Sequence, residues 1–122
     1  MRRPGEDIER GGTAAAVQPG IARFYLGSLG APDDMLLLKR VAAVGGDLVC
    51  RKGDRVTTPT AEALVLERDR RGVRLASWAE CRRLGTDEVF LLGDTPGSYD
   101  SRYFGPVDRR ELRGAFTAVT TW

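Results

Sequence analysis

The sequence contains no histidine, and that absence closes more chemistry than any residue present opens. Serine-histidine-aspartate triads, cysteine-histidine dyads and imidazole-ligated metal sites all need the missing ring. Cysteine is scarce as well. Cys50 and Cys81 are the two in the chain, too few for a four-thiolate zinc site, and they are a disulfide pair, two free thiols, or one of each. No metal is expected. Long apolar runs are also missing: the best, residues 35–38 and 89–92, fall far short of the ~18 residues that a membrane span requires. Residues 1–12 are polar and charged with no apolar stretch behind them, unlike a signal peptide, so the chain as written reads as soluble. Charge lacks a dominant sign, since 19 Lys and Arg stand against 17 Asp and Glu for a net charge of +2. That is a weak footprint beside that of a dedicated nucleic-acid binder. The densest basic stretch, Arg68, Arg70, Arg71 and Arg74, is broken by Asp69 and holds no aromatic to stack on a base. It reads as a solvated loop, and no nucleic-acid partner is expected.

What is present is a chain of 122 residues, 42% hydrophobic, long enough for one core, and residues 1–122 read as one domain. Residues 1–12 carry charge, Pro and Gly without periodicity and read as a mobile start or a strand-to-strand connection. Residues 13–17 predict a short strand, 21–26 a helical turn and 27–34 a loop. In residues 35–44 (MLLLKRVAAV) both alternating faces are apolar, the mark of a strand buried on two sides. Residues 45–47 then predict a turn, and 48–51 extended chain. Further short strands are predicted over residues 55–58, 61–67, 73–77 and 87–92, punctuated by Asp54, Pro59 and Gly72. Residues 93–107 (GDTPGSYDSRYFGPV) are too rich in turn formers to be regular throughout. Residues 108–112 predict a helical turn, and 115–122, alternating and β-branched, a last strand. The sum is a mostly β, mainly antiparallel domain with short helical turns.

Two places in this pattern are chemically out of keeping. Lys39 sits in mid-strand between Leu36, Leu37 and Leu38 on one side and Val41 to Val44 on the other. Burial there would push its pKa down and let it accept a proton near neutral pH, in the role that histidine fills elsewhere. The alternative is a strand-end lysine that extends its ammonium into water. Ser98, Asp100 and Arg102 fall at i, i+2 and i+4 and share one face if the segment is extended. A hydroxyl there can hold a buried amine, and an Asp-Arg pair can brace the loop. The alternative is a loop in which Asp94, Ser98 and Asp100 cap turns and do no more.

Residues 36–49 (LLLKRVAAVGGDLV) followed by 90–107 (FLLGDTPGSYDSRYFGPV) resemble two motifs of the signal peptidase I family, the Ser/Lys peptidases of S26, in the right order and at the right separation. More narrowly, residues 81–94 (the CRRLG and DEVFLLGD passage) and Trp122 resemble the family's plasmid conjugal-transfer, pilin-processing branch. The resemblance spans roughly residues 12–122. It implies a signal-peptidase-like antiparallel β-domain in which Lys39 is the general base, Ser98 orients the lysine amine, and Asp100 and Arg102 support the loop. Gly93 and Asp94 match the opening of the second motif, while Thr95 stands where the family more often has Asn. The implied function is a serine endopeptidase that removes leader peptides, often after Ala-x-Ala, from secreted or pilin-like proteins. No metal or organic cofactor is implied.

The family's nucleophile, a serine followed shortly by Pro and Gly, lies farther from the lysine than the 38 residues before Lys39 allow. The expectation is therefore a domain truncated at its N-terminus, with the serine upstream of Met1 and a membrane anchor beyond it. Ser28 lies too close to Lys39 to substitute, and the chain as given is expected to be inactive by this mechanism. The family works on the outer face of the bacterial cytoplasmic membrane, where disulfides persist. A bridge between Cys50 and Cys81 would close a loop of roughly 30 residues and contribute about 3 kcal/mol; two buried thiols are the alternative. A missing first strand would leave a sheet edge open to homodimer formation. Two other readings are weighed. The self-cleaving repressors resemble this family, but usually carry a DNA-binding domain that this chain lacks. The other is a non-catalytic β-module that binds leader peptides or a secretion-apparatus partner.

Overall fold

The computed structural model of the protein describes residues 8–116. Strand β1 (Thr13–Ala16) consists of small residues, all buried. Helix α1 (Gly20–Ser28) follows, then β2 (Leu37–Ala43), which returns antiparallel to β1 with Lys39 opposite Ala14. A turn leads to β3 (Leu48–Lys52), β4 (Arg55–Thr57) and β5 (Glu62–Leu64). After a long loop come β6 (Cys81–Arg83) and β7 (Glu88–Leu92), then the one-turn helix α2 (Ser101–Phe104), β8 (Val107–Asp108), a 3-10 turn (Arg109–Glu111) and β9 (Leu112–Phe116). The strands form two antiparallel sheets, in the orders β8-β7-β2-β1-β9 and β5-β4-β3-β6.

The apolar runs that stand out in the sequence are explained by two cores. Along β7, Phe90 and Leu92 face a core shared with Val49, Val56, Leu84 and Trp78, while Val89 and Leu91 face a second one with Ala14, Ala16, Val41 and Leu112. A strand with a core on each side has no polar face, so it shows no alternation. In β2 the same holds from Val41 to Ala43, whereas Leu38 and Lys39 are half-buried and Arg40 is exposed. The predicted start of this strand is corrected, because Met35 and Leu36 lie exposed before it. Their loop is tethered by Gln18, whose amide Nε2 donates to Met35 O at 2.8 Å and Pro32 O at 3.0 Å.

Other departures have local causes. The predicted strand over 73–77 is absent. Asp69 accepts the backbone N–H of both Arg71 and Val73 at 2.9 Å, which folds the segment into a tight loop with one isolated bridge, Arg68 to Arg74. Gly72 makes that turn at φ +81°. The predicted strand 61–67 shortens to Glu62–Leu64. What reads as one helical turn at 21–26 is a helix of nine residues, α1, with Ala22 its buried contact. Residues 8–12 are tied down: Ile8 is buried, Gly11 N–H donates to Val41 O at 2.8 Å, and Val41 N–H donates to Gly12 O at 2.7 Å. These ties accord with the strand-to-strand connection for residues 8–12, and residues 1–7 lie outside those described. The last strand begins at Leu112 rather than 115, and of the predicted span 115–122 residues 117–122 lie outside those described.

Candidate active site

Lys39 is carried by β2 at the point where the strand passes from the exposed Arg40 to its half-buried part. Its partner on β1 is Ala14, fully buried, a side chain too short to screen the lysine stem. Desolvation lowers the Lys39 pKa; Asp100 pulls it up, Arg102 pushes it down, and Asp94 pulls it up. Burial wins, so the amine gives up its proton more readily than a lysine in water. Arg40, next in the strand, bonds outward instead, to Asp94 Oδ1 at 3.0 Å and to Gly11 O at 3.2 Å.

The turn-rich segment after β7 is built around one ion pair. Asp100 is wholly buried and Arg102 nearly so. Arg102 Nε donates to Asp100 Oδ1 at 2.8 Å, and a terminal nitrogen donates to Oδ2 at 2.7 Å. Removing two charges from water is expensive, and such a pair persists only when its other hydrogen-bonding capacity is met. Here it is met by backbone. Arg102 also donates to Thr95 O at 3.2 Å, Ser98 O at 3.1 Å and Leu64 O at 2.9 Å. Asp100 accepts Gly93 N–H at 2.7 Å and the N–H of Arg102 itself at 3.0 Å, which caps α2. The segment is therefore not extended. Ser98, Asp100 and Arg102 do not share a strand face; the last two are the cap and a first-turn residue of α2.

Ser98 is nevertheless brought to Lys39, through Gly93. A Cβ placed on Gly93 would overlap the Ser98 side chain and lie 3.3 Å from Lys39 Nζ. The hydroxyl and the amine thus converge over a residue that has no side chain to separate them. Ser98 Oγ is held in turn by Thr95, whose hydroxyl lies 2.8 Å away and whose N–H donates to it at 3.4 Å. Cys50 and Cys81 lie elsewhere. They face each other across the β3–β6 register and are joined by a disulfide.

Two parts of this site escape a reading of the sequence. Ser101 is fully buried, and its Oγ accepts the N–H of Leu91, pinning α2 to β7. It lies inside the second motif, but nothing in its neighbours' spacing marks this role. Leu64 joins the site through its carbonyl, which carries no sequence signal at all.

The family model described as signal peptidase, peptidase S26 matches residues 5–122. The chain belongs to that family. Two relatives are Escherichia coli plasmid transfer proteins TraF, each 34% identical to this S26 chain. One match runs over 92 residues, 70% of this chain and 51% of the relative; the other runs over 106, 82% and 60%. The chain falls in their branch of S26, and spans about half to three fifths of the length of these curated relatives. A crystal structure of a signal peptidase I from Enterococcus faecalis V583 covers 92% of this chain and 98% of its own, with a TM-score of 0.55 at 21% identity, which shows a shared fold.

Proposed function

We propose that this S26 domain carries the general base of a serine endopeptidase that removes leader peptides from secreted or pilin-like proteins. The observation that carries the reading is the convergence of a desolvated Lys39 amine and the Ser98 hydroxyl over Gly93. A neutral amine held by one hydroxyl can take a proton from a second, the hydroxyl that attacks the peptide carbonyl. In this reading Ser98 sets the amine's direction. Asp100 and Arg102 fix the loop that carries Ser98. The curated relatives are longer than this chain, and the reading takes the attacking serine from outside residues 1–122, with the site on the outer face of the cytoplasmic membrane. Substrates with small residues, often Ala-x-Ala, before the cleaved bond belong to the same reading. A disulfide between β3 and β6 accords with an oxidising compartment.

The test is cleavage of a synthetic Ala-x-Ala leader peptide by the full-length protein, followed by mass spectrometry. Turnover is expected, and Lys39→Ala should lower kcat by about 10²- to 10⁴-fold. A full-length protein that binds the peptide and leaves it intact would replace this reading with that of a non-catalytic leader-binding module.

A further inference from the structure

We propose that the groove leading away from Ser98, between α1 and the loop at residues 68–75, holds a distal segment of the peptide substrate rich in aromatic or aliphatic side chains and bearing carboxylates; this rests on the peptidase reading above. Ser98 lines a cavity of about 640 Å³ together with Tyr25, Leu29, Leu75 and Tyr99. Tyr25, Arg71, Leu75 and Tyr99 also line a second cavity of about 340 Å³ that includes Ile21, Phe24 and Val73. These shared walls set the cavity of the residue that meets Lys39 beside one walled by the exposed side chains of α1.

The walls specify the occupant. Phe24 is 85% exposed, and Ile21, Leu29 and Val73 are 47%, 49% and 41% exposed, so apolar surface lines the groove without cover. The aromatic wall is preformed: Tyr25 and Tyr99 rings lie 4.6 Å apart, and Tyr99 stacks on Tyr103 at 5.4 Å. Tyr25 Oη donates to Asp69 Oδ2 at 2.7 Å, and Arg71 pairs with the same oxygen at 3.3 Å while reaching Ser28 Oγ at 3.4 Å. These bonds clasp α1 to the loop and engage the carboxylate of Asp69. Three arginines, Arg70, Arg71 and Arg74, line the groove against that one acid. An apolar floor under a cationic rim favours a peptide with alternating apolar and acidic residues.

The probes are two fluorescein-labelled dodecapeptides that share an Ala-x-Ala end, one continuing in Asp-Phe-Glu-Leu and the other in Lys-Ser-Lys-Ser. Anisotropy is read with the full-length protein carrying Lys39→Ala, so that no cleavage intervenes. The acidic aromatic peptide is expected to bind about tenfold tighter at low salt. Arg70→Glu with Arg74→Glu should abolish the preference, and Phe24→Ser should weaken that peptide about threefold with unchanged circular dichroism. Equal binding of the two peptides overturns the proposal, as does a preference that survives the charge reversal, or an oligothymidylate that outcompetes the acidic peptide. Cleavage by the unsubstituted full-length protein is read separately. Cleavage of both peptides at equal kcat/KM, with equal binding, removes the groove and leaves the peptidase reading. Selective binding without cleavage does the reverse.

Discussion

At the scale of single residues, the energetics of Lys39 set up two opposed expectations. A lysine whose folded pKa is depressed is a standing cost to the fold at neutral pH. Between that lowered value and the ~10.4 of the unfolded chain, the unfolded state binds the extra proton and stability rises with pH. Lys39→Met should therefore raise the melting temperature at pH 7 by roughly a few degrees, with the gain shrinking as pH climbs toward 10. A gain that does not vary with pH would show that burial of charge is not its source. Activity runs the other way. The proposed mechanism uses Lys39 deprotonated, so on that reading the acid limb of the kcat/KM profile of the full-length protein should lie below the usual lysine range. Asp100 draws the pKa of Lys39 upward, so in Asp100→Asn the limb should move to lower pH, even as the loss of a buried partner destabilises the fold by about 3–5 kcal/mol. A Gly93→Ala substitution would place a methyl group where the Ser98 side chain now lies. Turnover should fall at least about 100-fold with little change in KM, since orientation rather than binding is lost.

At the scale of elements, the disulfide and the candidate site are separable. Cys50 and Cys81 join β3 to β6, whereas Lys39 and the Ser98 loop belong to β2 and to the chain after β7. Replacing both cysteines by alanine should lower stability by about 3 kcal/mol in a denaturant titration and leave kcat unchanged at 25 °C. A fall in kcat with the fold intact would mean that the two sheets are more tightly coupled than their pairing suggests. Elements also show where the sequence was legible. Strands β2, β3, β4 and β7 follow from β-branched and leucine-rich runs punctuated by Gly and Asp, because burial imposes that pattern directly. Residues 73–77 misled because their alternation does read as a strand. A single carboxylate, Asp69, gathers the N–H groups that a strand would have offered to a neighbour. Strand β6 and helix α2 went unseen because each is short enough to be decided by its partner: the facing strand in one case, the Asp100 cap in the other.

At the scale of the whole molecule, the site could be read from the sequence only as far as its side chains. Lys39, Ser98, Asp100 and Arg102 stand out because charged and hydroxyl groups among apolar or turn-forming neighbours are conspicuous. How they meet was hidden, for it depends on an absent side chain at Gly93 and on main-chain carbonyls of Leu64, Thr95 and Ser98. Net charge and composition carried still less. Arg70, Arg71 and Arg74, from a stretch that reads as an isolated solvated loop, come to line cavities with Tyr25 and Tyr99. Tertiary contact supplies the aromatic partners that their own stretch lacks.

The reach of Arg102 has a consequence in time. One guanidinium grips Asp100 and the loop after β7, and also the carbonyl of Leu64 on an edge strand of the other sheet. It can be seated only after the two sheets have docked. During refolding, the circular dichroism signal of the strands should therefore return before the ability to turn over substrate. On the proposed peptidase reading, the site is assembled last, and the chain stays harmless to its neighbours until its folding is complete.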